Sequence, residues 1–197
     1  MRLLKILSAF VALISVQVVL VHQSNAWMNV ATVGGGGVPV AVSCATTEQS
    51  ATGTGGFDSY VGYDHDYTAT KITTDGDGVA VCKIGLYLKK SGTPVSTLTV
   101  SLWTDSSGPS SKVSDCGTIS GGSIGADYGE VTATCGSPIS LSASTSYWVA
   151  IHSTTINTTN FIYWGADWFG SGVTKVGDAT PTWSDYTTRI CAYVLYK

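Results

Sequence analysis

Two histidines beyond the N-terminal region, His65 and His152, are the natural places to look for acid–base chemistry. His65 stands in Tyr63-Asp64-His65-Asp66-Tyr67, where a carboxylate on each side raises the basicity of the imidazole. That pattern suits a general base or a metal ligand. It suits an exposed loop or edge strand better. His152 follows the run Tyr147 to Ile151 and reads as a strand-end residue. The chain contains neither G-x-S-x-G nor H-E-x-x-H. A glycosidase pair drawn from the thirteen acidic residues leaves no local signature, and only Glu48 and Glu130 are glutamates. No catalytic residue is assigned, and the chain is not expected to be an enzyme.

Asp75-Gly76-Asp77-Gly78 offers closely spaced carboxylates on a glycine-rich turn, an arrangement that hard cations such as calcium accept. The EF-hand pattern is missing, and an ordinary hairpin turn explains the same four residues. Asp75 and Asp77 are therefore the metal candidates, with Asp64 and Asp66 behind them. The five cysteines, Cys44, Cys82, Cys116, Cys135 and Cys191, form no C-x-x-C pair, and the histidines are not spaced for zinc. Disulfides are the default reading, with one cysteine left over. Cys116 and Cys135 flank a glycine-rich stretch and the strand after it, so a bridge between them closes a short local loop.

The densest group of rings is Phe161-Ile162-Tyr163-Trp164-Gly165-Ala166-Asp167-Trp168-Phe169-Gly170. Flat rings stack on the apolar face of a sugar while neighbouring carboxylates and amides bond its hydroxyls; rings also fill cores. On a strand, Phe161 and Tyr163 share one face and Ile162 and Trp164 the other, so one pair must be buried. Gly165 and Gly170 bracket a loop, which makes Trp168, Phe169 and Asp167 the expected ligand-facing residues, with Trp183 as a further ring. Asn157-Thr158-Thr159 is an N-glycosylation sequon.

The elements that must hold these residues are strands. Val79 to Leu88 places Cys82, Ile84, Leu86 and Leu88 on one face; Thr97 to Trp103 places Leu98, Val100 and Leu102 on one face. Turns are expected at Lys90–Pro94 and Asp105–Pro109, and further strands at 112–119, 129–135, 146–152, 159–165 and 188–196. Gly, Ser, Thr, Val, Tyr and Trp dominate beyond residue 26, and no sustained helical periodicity appears. Residues 1–26 have a basic start, an apolar run and a small-residue end at Ala26, the plan of a cleaved secretory signal peptide. Residues 27–56 read as a Gly/Ser/Thr-rich arm or linker, with one potential strand at Val38–Val42, and residues 57–197 as one β-sandwich domain. Without Arg2 and Lys5, eight basic residues face thirteen acidic ones. That balance excludes a nucleic-acid surface and gives no attraction to anionic lipid.

Three stretches occur in order: VCKIGLYLKKSGTPVSTLTVSLWTDSSGPSSKV (81–113), SPISLSASTSYWVAIHS (137–153) and TWSDYTTRICAYVLYK (182–197). Together they resemble the jelly-roll accessory domains of bacterial surface proteins known as choice-of-anchor domains, which are in turn similar to carbohydrate-binding modules. The resemblance spans roughly residues 57–197. It implies an all-β, jelly-roll-like sandwich and structural positions for Trp148 and Trp183. It favours a structural calcium, and it implies a Cys82–Cys191 disulfide, because those strands are neighbours in such domains; Cys44 would then be unpaired.

The expectation is a secreted, non-catalytic binding module for a glycan or another surface polymer. It touches neither nucleic acid nor, once the signal is removed, membrane. The alternative is a structural subunit of an extracellular fibre or sheath, in which the arm adds a strand to a neighbour's open sheet edge and the odd cysteine joins chains.

Overall fold

The computed structural model describes residues 44, 46–51, 57–61, 65–94, 96–153, 159–167, 173–177, 182–187 and 190–197. Residues 1–26, read above as a signal peptide, together with Val38–Val42, Asp64, Asn157, Trp168 and Phe169, lie outside that set. The described residues form strands β1 (Thr47–Ala51), β2 (Phe57–Val61), β3 (Tyr67–Thr73), β4 (Val79–Ser91), β5 (Thr97–Asp105), β6 (Pro109–Ser120), β7 (Gly129–Leu141), β8 (Ser146–His152), β9 (Phe161–Asp167), β10 (Thr174–Gly177), β11 (Ser184–Thr187), β12 (Ile190–Cys191) and β13 (Tyr193–Tyr196). The only helical element among them is a single 3₁₀ turn at Gly121–Ser123.

Two antiparallel sheets pack face to face. One runs β11-β10-β3-β8-β5-β6. The other is built around β4, which pairs with β7 along one edge and with β13 and then β9 along the other. β1 extends that sheet beyond β13, and β2 and β12 flank β9.

Alternation on the long strands sets the packing. Ile84, Leu86 and Leu88 of β4 meet Leu98, Val100 and Leu102 of β5, Val149 and Ile151 of β8 and Ile162 and Trp164 of β9, all fully buried. Burying each aliphatic chain is worth ~1.5–3 kcal/mol. Ile162 and Trp164 are thus the inward pair of β9. The indole N–H of Trp164 donates to the Ala192 carbonyl at 2.7 Å, so the buried ring keeps its hydrogen bond.

β3 obeys a different rule. Its inward residues are Thr68, Thr70 and Ile72, and the two threonines are completely buried. Thr70 Oγ1 accepts the Cys191 backbone N–H at 3.1 Å, tying one sheet to the other through the core.

The disulfides join Cys116 to Cys135 and Cys44 to Cys82. The first bridges β6 and β7, the edge strands of the two sheets, as the short-loop reading expected. The Cys82–Cys191 pairing is corrected. Lys83 lies opposite Tyr196 and Leu86 opposite Tyr193, which puts Cys82 level with Lys197. Cys191 is six residues away along that register, about 20 Å at strand rise, far beyond the reach of a disulfide. Cys191 instead belongs to neither of these two disulfides and lies fully buried with its sulfur beside the Thr174 hydroxyl. Cys44 is not left over: it fastens the segment just ahead of β1. The arm therefore contributes β1 to its own chain's β13, with Ser50 opposite Val194.

The two disulfides point to an oxidising compartment. Among the described residues, no helix is long and apolar enough to cross a membrane.

Candidate functional site

On the six-stranded sheet, the residues between the inward ones project from the opposite face. Cross-strand register places Tyr67 beside His152, Ala69 beside Ala150, and Lys71 beside Trp148, which in turn neighbours Trp103. The Tyr67 and His152 rings stack at 4.1 Å and 18°. Trp183 crosses over the same face and meets Tyr67 at 5.6 Å and Trp103 at 5.9 Å, both edge-on. Tyr67 and Trp103 meet at 6.4 Å, closing a triangle of rings. Tyr67, Trp103, His152 and Trp183 all remain partly exposed.

Beneath the triangle lie Ala69, Ala150 and the buried Trp148. Small residues let the outer rings descend onto the sheet. Gly177 does the same for Trp183: a Cβ there would stand 3.3 Å from the indole.

The rings are held from below and from the side. Trp103 donates its indole N–H to Ser101 Oγ at 2.8 Å. Trp148 donates to Asp105 Oδ1 at 2.8 Å, and Lys71 Nζ sits 2.6 Å from the other oxygen of that carboxylate. Burial alone would raise the Asp105 pKa. Hydrogen bonds from Lys71 and Trp148, the Lys71 charge and the Gly108 N–H outweigh it and hold the carboxyl below its usual range. Burial pushes the His152 pKa down; Asp66 opposes this, Lys112 adds to it, and Asp115 opposes it, leaving the imidazole below its usual value.

Of the residues expected at a ligand surface, Trp183 belongs to this face. Asp167 ends β9 on the other sheet, opposite Ile190, so it does not share a sheet face with Trp183. Trp168 and Phe169 are outside the described residues. Asp75 and Asp77 are exposed on the turn between β3 and β4. That turn has its own backbone logic. The Asp75 carbonyl accepts from Gly78 N at 3.3 Å and Ser144 N at 2.8 Å. Gly78 has φ +68°, and a Cβ on it would lie 2.7 Å from the Leu141 carbonyl oxygen. Among the described residues, no group of three or more His, Cys, Asp or Glu side chains could hold a metal ion.

Tyr67 and Trp103 were not singled out from the sequence, and His152 was read only as a strand end. A signal was present. Leu98, Val100 and Leu102 face inward, so Trp103 must face outward, and Trp148 lies between the inward Tyr147 and Val149. Large rings at outward strand positions are the informative exception to ordinary burial.

The outer face of the other sheet is ringed too, but by lysine–tyrosine pairs. Lys89 Nζ lies 4.4 Å from both the Tyr128 and Tyr163 rings, and Lys83 Nζ lies 3.9 Å from Tyr196.

No known protein family, curated protein or solved structure matches the chain. Fold and site together define a disulfide-bearing, two-sheet β-sandwich with an aromatic cluster on the outside of one sheet.

Proposed function

We propose that the protein is a secreted, non-catalytic glycan-binding module on a jelly-roll-like sandwich, with the outer face of the six-stranded sheet as its ligand surface. One observation carries this reading: Tyr67, Trp103, His152 and Trp183 are contiguous and partly exposed, the first three on strands β3, β5 and β8 and Trp183 just ahead of β11. Rings with two rotatable bonds give a large contact at small entropic cost. The apolar face of a pyranose needs such a platform, and the carboxylates of Asp66 and Asp115, whose charges reach His152, offer acceptors for its hydroxyls. The apolar leader ending at Ala26 and the two disulfides support export.

The fibre reading has less support. β1 of the arm occupies the β13 edge of its own chain, and Cys44 is already paired. Screening the protein on a glycan array tests the proposal. Retention of a defined set of glycans is expected; a blank array together with large polymers by size exclusion would favour the fibre subunit.

A further inference from the structure

The charges around the aromatic face narrow the ligand class. Register assigns the outer face three lysines among the described residues: Lys71 on β3, Lys112 on β6 and Lys175 on β10. Each is already paired with an aspartate: Lys71 with Asp105 at 2.6 Å, Lys112 with Asp115 at 3.0 Å and Lys175 with Asp185 at 2.9 Å. His152 is held toward its neutral form at physiological pH, and the charge of Asp66 reaches it. Among the described residues, a uronate or sulfate approaching the rings therefore meets no uncompensated lysine and, in Asp66, one further carboxylate. It would have to lose its hydration without a charge partner.

We infer that this face takes uncharged glycans, such as chains of neutral hexoses or pentoses, and rejects acidic ones. The inference rests on the glycan reading of the same face. Specificity here comes from what the face withholds as much as from the rings it offers. Recognition dominated by stacking and hydrogen bonds has little dependence on salt, because screening acts mainly on unpaired exposed charges.

Affinity gel electrophoresis tests this with hydroxyethyl cellulose, xylan and laminarin as neutral polymers and polygalacturonate, alginate and heparin as acidic ones, each at low and high salt. Retardation by at least one neutral polymer, similar at both salt levels, is expected, with none by the acidic three. The Asp185→Asn variant gives a second readout. Asp185 is 80% exposed and Lys175 only 12%, so the substitution frees a cation at the face without opening the core. It should gain severalfold retardation by acidic polymers, abolished at high salt. Salt-sensitive binding of acidic polymers by the wild type would overturn the inference while leaving the glycan reading standing. An Asp185→Asn variant with no gain would count against charge pairing as the gate. No retardation by any of the six would overturn the glycan reading beneath it.

Discussion

Asp105 and Trp148 are joined across neighbouring strands by an indole N–H to carboxylate hydrogen bond of 2.8 Å, and this bond fixes the floor of the aromatic face. Trp148 is 1% exposed although it points away from the main core. It is a second, small core on the outside of the sheet, roofed by Lys71, Trp103 and Trp183.

Asp105→Ala should therefore destabilise the protein. It leaves the Trp148 N–H without its acceptor and Lys71 without its partner, a loss of about 1–3 kcal/mol. Asp105→Asn keeps an acceptor for the indole and should cost less. Urea titrations of the two variants check the order.

The Asp105 carboxyl also has a pH signature. Its pKa is lowered in the folded state, so the unfolded chain takes up the proton first as pH falls. Its stabilising contribution is full above the ordinary aspartate pKa of about 3.9, and it is lost as pH falls through the lower folded value. Asp105→Asn should flatten that part of the stability curve, read as thermal midpoint against pH.

His152 acts in the same direction in a higher window. Its pKa is lowered by burial against Tyr67, with Asp66, Lys112 and Asp115 as the charges facing it. Above the ordinary histidine pKa of about 6.5 both states are neutral. As pH falls below that value the unfolded state binds the proton more readily, and stability declines until the folded pKa is passed. His152→Asn should remove this decline. NMR titration of the imidazole should give a value below the unfolded one.

The thiols separate the two connectivities. Non-reducing peptide mapping should recover Cys44 with Cys82 and Cys116 with Cys135; a Cys82–Cys191 peptide would contradict the register. Cys191 should react with a thiol reagent only after unfolding. The Cys116→Ser, Cys135→Ser double variant should lose roughly 3 kcal/mol, the chain-entropy value for a loop of this size.

Much of the scaffold was legible because β4 and β5 place Ile84, Leu86 and Leu88 and Leu98, Val100 and Leu102 at every second position. β3 was not, because its inward positions are Thr68 and Thr70, whose burial depends on cross-sheet partners such as the Cys191 N–H. β10 and β11 have four residues each, too few to show a period. The Cys82 pairing failed for a similar reason: neighbouring strands were inferred, but register decides which cysteines meet. At the candidate site Trp183 was legible as a ring after a proline. Tyr67 and His152 were not, since they lie 85 residues apart and only the pairing of β3 with β8 stacks them.

The most direct test of the central claim is the glycan affinity of Trp103→Ala beside its thermal midpoint, with Trp164→Ala as the core comparison. Trp103 is partly exposed over the sheet, whereas Trp164 is 0% exposed between the sheets. Trp164→Ala should cost about 3–5 kcal/mol of stability. Trp103→Ala should lower glycan affinity tenfold or more, about 1.4 kcal/mol, while melting within a few degrees of the wild type. Unchanged glycan affinity in Trp103→Ala, or a loss of stability matching that of Trp164→Ala, would contradict the assignment of this face as the ligand surface.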